Sequence, residues 1–213
     1  MKQWIVKAFQ KVDRKDFVLP EYTEYADVDE PLPIGHGQTI SQPYTVAFML
    51  ELIEPQKGQR ILDVGSGSGW TTALLAHIVG TKGRVYGTEL IPDLVTFGKN
   101  NLKKYHFPHA SIEQTGNILG LPKKGPFDRI LVSAASAFIP QKLIDQLAVG
   151  GIMVIPIGND VVKIKKISKK EITREAHSGF VFVPLLRRAR EKKYYKKNCE
   201  NGKSVYKYNG SPM

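Results

Sequence analysis

The segment Ile61-Leu62-Asp63-Val64-Gly65-Ser66-Gly67-Ser68-Gly69-Trp70 constrains this chain more than any other. A short apolar run carrying one carboxylate ends in three alternating glycines, and an apolar stretch of helical length follows. Glycine tolerates left-handed backbone and lets the chain approach a ligand closely. A buried strand feeding such a turn sets the free N–H groups of the next helix beside anything bound at the strand's carboxyl end. The segment therefore predicts an α/β fold with a ligand site at its first strand-to-helix elbow.

The rest of the chain alternates in the same way, as βαβ units of a mostly parallel sheet do. Strands are expected at 60–64, 84–89, 110–114, 128–133 and 151–157, with helices over about 69–79, 92–105 and 140–148. Val161 to Ile172 and Gly179 to Leu186 read as two extended segments that add antiparallel strands at the sheet edge. Upstream, Trp4, Ile5, Ala8, Phe9 and Val12 recur at helical spacing, Pro20 stops the pattern, and an acidic loop follows to residue 30. A Gly-rich loop, Ile34 to Ser41, precedes a helix from Pro43 to Ile53 with Ser41 or Gln42 near its cap. Beyond Arg187 the chain is polar, with no apolar periodicity to hold it. The expected organisation is one domain over 1–190, with an N-terminal segment (1–58), a cofactor core (59–158) and edge strands (159–190), followed by a basic tail over 191–213.

A length of 213 residues suits one well-filled core, and a 42% hydrophobic content is too high for a disordered chain. The lone Cys199 cannot form an intramolecular disulfide and has no partner at metal-ligand spacing, so a reducing compartment and no metal are expected. The first ten residues lack the apolar core of a signal peptide, and no stretch reaches the roughly 20 apolar residues of a membrane span. A cytoplasmic monomer is the expectation. The net charge of +11 is concentrated after residue 158. Arg187 to Lys197 mixes basic and aromatic residues as single-strand binders do, but a solvated run has the same composition, so nucleic acid is not taken as a partner.

The glycine turn reads G-x-G-x-G, with Trp70 where a dinucleotide site needs its third glycine. Glu89 closes the second strand, where a carboxylate can accept hydrogen bonds from both hydroxyls of a ribose. Together these favour S-adenosylmethionine over a dinucleotide, with Asp63, Gly65, Ser66, Gly67, Gly69 and Glu89 as contacts.

Leu32-Pro33-Ile34-Gly35-His36-Gly37-Gln38-Thr39-Ile40-Ser41-Gln42-Pro43-Tyr44 resembles the signature of the protein-L-isoaspartate O-methyltransferase family. Pro126 to Ala135, Gly150 to Gly158 and Phe182 to Leu185 continue the resemblance in the family's order. It implies a Rossmann-like S-adenosylmethionine-dependent methyltransferase fold and transfer of a methyl group to the free α-carboxylate of L-isoaspartyl residues in damaged proteins. It also implies Ser41 as the active-site serine, orienting the acceptor rather than attacking it. Thr39, Asn117 and Ile118 would join the cofactor site, while Gln38, Ile40, Val132, Ser133, Ala134, Val183 and Pro184 would line the substrate side. Two positions depart from the family pattern: Gly116-Asn117-Ile118 replaces Gly-Asp-Gly, and Ala134-Ala135-Ser136 stands where proline is common. From the residues alone Ser41 could instead cap the following helix. Other acceptors (RNA or a small molecule) and a catalytically silent binding protein also stay open.

Overall fold

The computed structural model describes residues 1–116, 118–185, 195–200 and 203–208, the last two stretches as backbone only. Among the described residues the α-helices are α1 (Gln3–Lys11), α2 (Pro43–Ile53), α3 (Trp70–Val79), α4 (Pro92–Lys103) and α5 (Gln141–Gln146). A small hairpin, β1 (Leu32–Gly35) and β2 (Gln38–Ile40), stands apart from the main sheet. The main sheet is built from β3 (Arg60–Val64), β4 (Arg84–Glu89), β5 (Ala110–Gln114), β6 (Phe127–Val132), β7 (Leu147–Ile157), β8 (Asp160–Lys166), β9 (Glu171–Ser178), β10 (Tyr195–Glu200) and β11 (Lys203–Tyr208).

Its strand order is β10-β11-β9-β8-β7-β6-β3-β4-β5. The chain runs outward from β3 through β4 to β5, then returns to β6 on the other side of β3, and these strands pair in parallel out to β7. This reversal is a topological switch point, and ligands of such sheets sit outside the strands' carboxyl ends there. The glycine turn leaves β3 at that place.

Alternating side chains divide the core, as the two-residue period of a strand requires. Ile61, Leu131, Val154 and Val161 pack with the apolar faces of α1, α2, α3 and α4. Leu62, Ile130, Val132, Met153, Ile155 and Val162 pack on the opposite face with Leu143 and Ile144 of α5. Burial on both faces explains why these strands read as unbroken apolar runs.

Several boundaries differ from the sequence reading. The N-terminal helix ends at Lys11, well before Pro20, because Asp13 starts a tight turn by accepting the N–H of Lys15 at 3.0 Å. The helix expected over 140–148 stops at Gln146, and Leu147 turns directly into β7 to pair with Phe127. Lys166 completes that helix end, its buried ammonium donating to the carbonyls of Ile144 (2.6 Å) and Leu147 (2.7 Å). A cation at a helix C-terminus meets both the unpaired carbonyls and the helix dipole.

The two expected edge segments are also corrected. Val161–Ile172 spans β8 and the start of β9, whereas 179–185 forms no strand: Gly179 and Phe180 donate to the Asn159 carbonyl (3.2 and 3.1 Å), Phe180 stacks on Phe48, and Pro184 bridges to Ala135. Residues 195–200 and 203–208, in the tail where no apolar periodicity was found, form the antiparallel β10–β11 pair, and β11 pairs antiparallel with β9 through Val205↔Thr173 and Tyr206↔Ile172. Backbone pairing along an open sheet edge needs no apolar periodicity, which is why the pattern was silent.

Candidate active site

Gly65, Gly67 and Gly69 all adopt positive φ (78°, 50° and 92°), a backbone that side-chain-bearing residues rarely take. A Cβ on Gly65 would meet nothing nearer than the Cβ of Ala134 at 3.8 Å, so the turn faces open space. At the other side α4 presses close: a Cβ on Gly98 would fall 2.8 Å from the Gly67 carbonyl. Buried Asn101 of the same helix donates to the Ser68 carbonyl at 3.0 Å. Neither Gly98 nor Asn101 was expected; a buried asparagine on the otherwise apolar face of α4 is the signal that could have found it.

Asp63 lies behind the turn. It is fully buried, and one carboxylate oxygen accepts the hydroxyls of Thr71 (2.7 Å) and Thr72 (2.6 Å) at the start of α3. Burial pushes its pKa up to about 6, with the Thr72 and Thr71 hydrogen bonds and the nearby Ser133 hydroxyl pulling down and Glu89 pushing further up. The other oxygen, like the buried hydroxyl of Ser66, has no partner among the described residues.

Glu89 ends β4 with its carboxylate already engaged. Oε1 accepts the N–H groups of Leu90 (2.7 Å) and Ile91 (3.0 Å), and Oε2 accepts that of Gly67 at 3.0 Å. A carboxylate offers about four acceptor positions, so room remains for about one more donor rather than the pair expected from the sequence. Ile118 is exposed, while Asn117 lies outside the described residues.

The β1–β2 hairpin closes over the turn. Ile34 reaches to within 3.0 Å of where a Gly67 Cβ would sit, and His36 at the hairpin tip contacts Asp93 at 3.1 Å on α4. Gln38 and Thr39 are half-buried on β2, Gln38 donating to the His36 carbonyl at 3.3 Å. Ile40 and Val132 are buried in the core, so any ligand contact from them is left to their backbone.

Ser41 follows the hairpin. Gln42, not Ser41, is the N-cap residue of α2, and it makes no side-chain cap. The cap comes from the acidic loop, where Asp29 Oδ1 accepts the Tyr44 N–H at 2.7 Å. Among the described residues the Ser41 hydroxyl has no hydrogen-bond partner, so the capping alternative falls away.

The sheet ends complete the wall. Ser133 N–H donates to the Val64 carbonyl at 2.9 Å, which holds the exit of β6 against the exit of β3. Ala135 exchanges bonds with the 183–185 segment, donating to Val183 and accepting from Leu185, both at 2.8 Å. The structure thus brings Val183 and Pro184 beside Ala135, next in sequence to Ala134.

The least expected contributor is Arg14, which is 4% exposed. Its guanidinium donates to the carbonyls of Ala26 (2.9 Å), Val28 (3.1 Å), Glu30 (2.7 Å) and Ser41 (3.1 Å), and lies over the Trp70 ring at 5.6 Å. Burial lowers its pKa to about 10, with Asp29 and Asp27 opposing, so it stays charged at neutral pH.

Residues 1–190 match the protein-L-isoaspartate(D-aspartate) O-methyltransferase family. The chain belongs to this family. A protein-L-isoaspartate O-methyltransferase of Thermococcus onnurineus is 44% identical over 186 residues, 84% of each chain, and that of Methanococcoides burtonii is 40% identical over 187 residues, 86% of this chain and 92% of its own. The Plasmodium falciparum member, solved in complex with S-adenosyl-L-homocysteine, superposes with a TM-score of 0.78 at 29% identity, covering 87% of this chain and 91% of its own. The expected Rossmann-like methyltransferase fold is therefore the fold of this family member. Among the described residues no cluster could hold a metal ion, and no helix is long and apolar enough to cross a membrane.

Proposed function

We propose that this chain methylates the free α-carboxylate of L-isoaspartyl residues in damaged proteins and peptides, with S-adenosylmethionine as donor. The observation that carries the reading is the uncommitted Ser41 hydroxyl, held on a loop whose hairpin packs directly on the glycine turn.

The residues present fit the donor. Open space over Gly65, left-handed glycines and an α3 N-terminus without a side-chain cap suit a bound nucleoside, and Glu89 would accept one ribose hydroxyl. S-adenosylmethionine supplies an activated methyl group on a sulfonium. Asp63 would act from behind, fixing Thr71 and Thr72 at the start of α3. Gly116, Ile118 and, outside the described residues, Asn117 would border the base.

An α-carboxyl group with a pKa of about 3.3–3.7 is already ionised at neutral pH, so no general base is required. Ser41 would donate to one acceptor oxygen and leave the other free to attack. The backbone of Gln38 to Ile40 and the Val183–Pro184 segment would hold the flanking peptide, with Ser133 and Ala134 as the floor. Rate then comes from alignment of oxygen and methyl carbon. We read residues 1–190 as one catalytic domain acting as a cytoplasmic monomer.

With labelled S-adenosylmethionine, a peptide containing L-isoaspartate should be labelled and the same peptide with normal aspartate ignored. Both carry equal charge, so only a shaped pocket can separate them. Equal labelling of both, or labelling of added RNA alone, would sink this acceptor.

A further inference from the structure

We infer that Arg14 is the positioning residue of the acceptor site: without touching substrate, it sets where Ser41 stands relative to the cofactor turn. This rests on the acceptor reading above.

Four carbonyls converge on one guanidinium, three from the acidic loop and one from Ser41 itself. The loop carbonyls of Ala26, Val28 and Glu30 flank Asp29, whose carboxylate caps α2 at Tyr44 and also accepts from Gln42 Nε2 at 3.4 Å. Arg14 therefore reaches the Ser41–Tyr44 corner by two routes, directly through the Ser41 carbonyl and indirectly through the loop that carries the Asp29 cap. A third connection runs to the cofactor side. The Trp70 ring lies under the guanidinium, its indole N–H donates to the Val12 carbonyl at 3.2 Å, and Trp70 is the first residue of α3. One buried cation thus links the acceptor loop to the helix that leaves the glycine turn.

The geometry needs arginine. Each terminal nitrogen serves two carbonyls, NH1 those of Ala26 and Val28 and NH2 those of Glu30 and Ser41. Lysine keeps the charge but offers three donors from a single point, so it cannot span both pairs. Carbonyls gathered from separate parts of the chain then relax, and Ser41 moves with them. A displacement of about 1 Å in an aligned transfer costs roughly 100-fold in rate.

The test compares the parent protein with Arg14→Lys, and with Arg14→Met as the harsher change. Three quantities are read: kcat and KM on an L-isoaspartyl peptide, S-adenosylhomocysteine affinity by calorimetry, and amide exchange over residues 26–44. Arg14→Lys should lower kcat by about 10- to 100-fold, with KM for the cofactor and S-adenosylhomocysteine affinity within threefold of the parent. Exchange should quicken over 26–31 and 41–44 while the amides of β3 and β4 stay protected. A kcat within threefold of the parent overturns the inference. So does a loss of kcat matched by equal losses in cofactor affinity and melting temperature, which would mark Arg14 as a general prop. If the parent leaves the isoaspartyl peptide unmethylated, the acceptor reading has failed, and exchange over 41–44 decides Arg14 by itself: unchanged protection in Arg14→Lys overturns it.

Discussion

The backbone N–H of Tyr44 donates to the Asp29 carboxylate at 2.7 Å, so the helix beginning beside Ser41 is capped from the acidic loop. In the proposed reading, capping and catalysis are thereby separated between two residues. Asp29→Ala should lower stability by about 1 kcal/mol, the usual worth of an N-cap. Ser41→Ala should leave the melting temperature almost unmoved. Its turnover on isoaspartyl peptide should fall about 10- to 100-fold, since a hydrogen bond to a charged group is worth about 1.5–3 kcal/mol. Thermal melts alongside steady-state rates check both, and a Ser41→Ala protein that melts early yet turns over normally would return Ser41 to the capping role.

The cofactor turn predicts a different separation. Gly65 has φ 78° yet open space around its missing Cβ, so Gly65→Ala costs about 1–2 kcal/mol in backbone strain while placing a methyl group where the donor should lie. S-adenosylmethionine affinity should drop by more than the stability loss accounts for. Glu89→Ala should weaken the same binding by roughly tenfold or more through the lost charge-assisted bond. Calorimetric affinities unchanged in both variants would remove the donor from this turn.

Asp63 makes folding pH-dependent in an unusual direction. Its carboxyl rises from 3.8 to about 6 on folding, so the native state holds the proton more tightly than the unfolded chain. That preference stabilises fully below about pH 4, fades as pH climbs through the window to 6, and is gone above it. Relative to Asp63→Asn, the parent protein should lose up to about 2–3 kcal/mol between pH 4 and 6.5. Urea midpoints of the two proteins at both pH values measure this, and a constant difference between them would contradict the assignment.

The C-terminal hairpin pairs at the far edge of the sheet, with β9, β8, β7 and β6 between it and β3. Removing residues 187–213 should therefore leave kcat/KM on isoaspartyl peptide within about threefold, because rates follow the geometry of groups at the reacting atoms. A collapse of activity in a truncated protein that still binds S-adenosylhomocysteine would show that the hairpin takes part in acceptor binding.

Much of this arrangement was readable in the chain itself. Ile61 to Val64 with the glycines after it, and the strands at 84–89 and 110–114, depend on periods and turn chemistry written in neighbouring residues, and the structure places all of them as expected. Glu89 and the Ser41 loop were found the same way, from residue type at a strand end and from a contiguous family signature. The end of α5 was missed because distant Lys166 takes its last carbonyls; the bounds of α2 hold, but its cap comes from distant Asp29 rather than from Ser41 or Gln42.

What only the tertiary structure decided is which polar groups remain free at the site. Asp63 and Glu89 both read as ligand contacts, yet one is buried behind the turn and the other has spent most of its acceptor positions on backbone. Nothing in the sequence singled out Arg14, although it gathers carbonyls 12 to 27 positions away. Periodicity reports which face of an element is buried. It says nothing of which donors that burial brings within 3 Å of which acceptors, because that depends on how whole elements pack, and a buried polar group must find its partner wherever packing puts one.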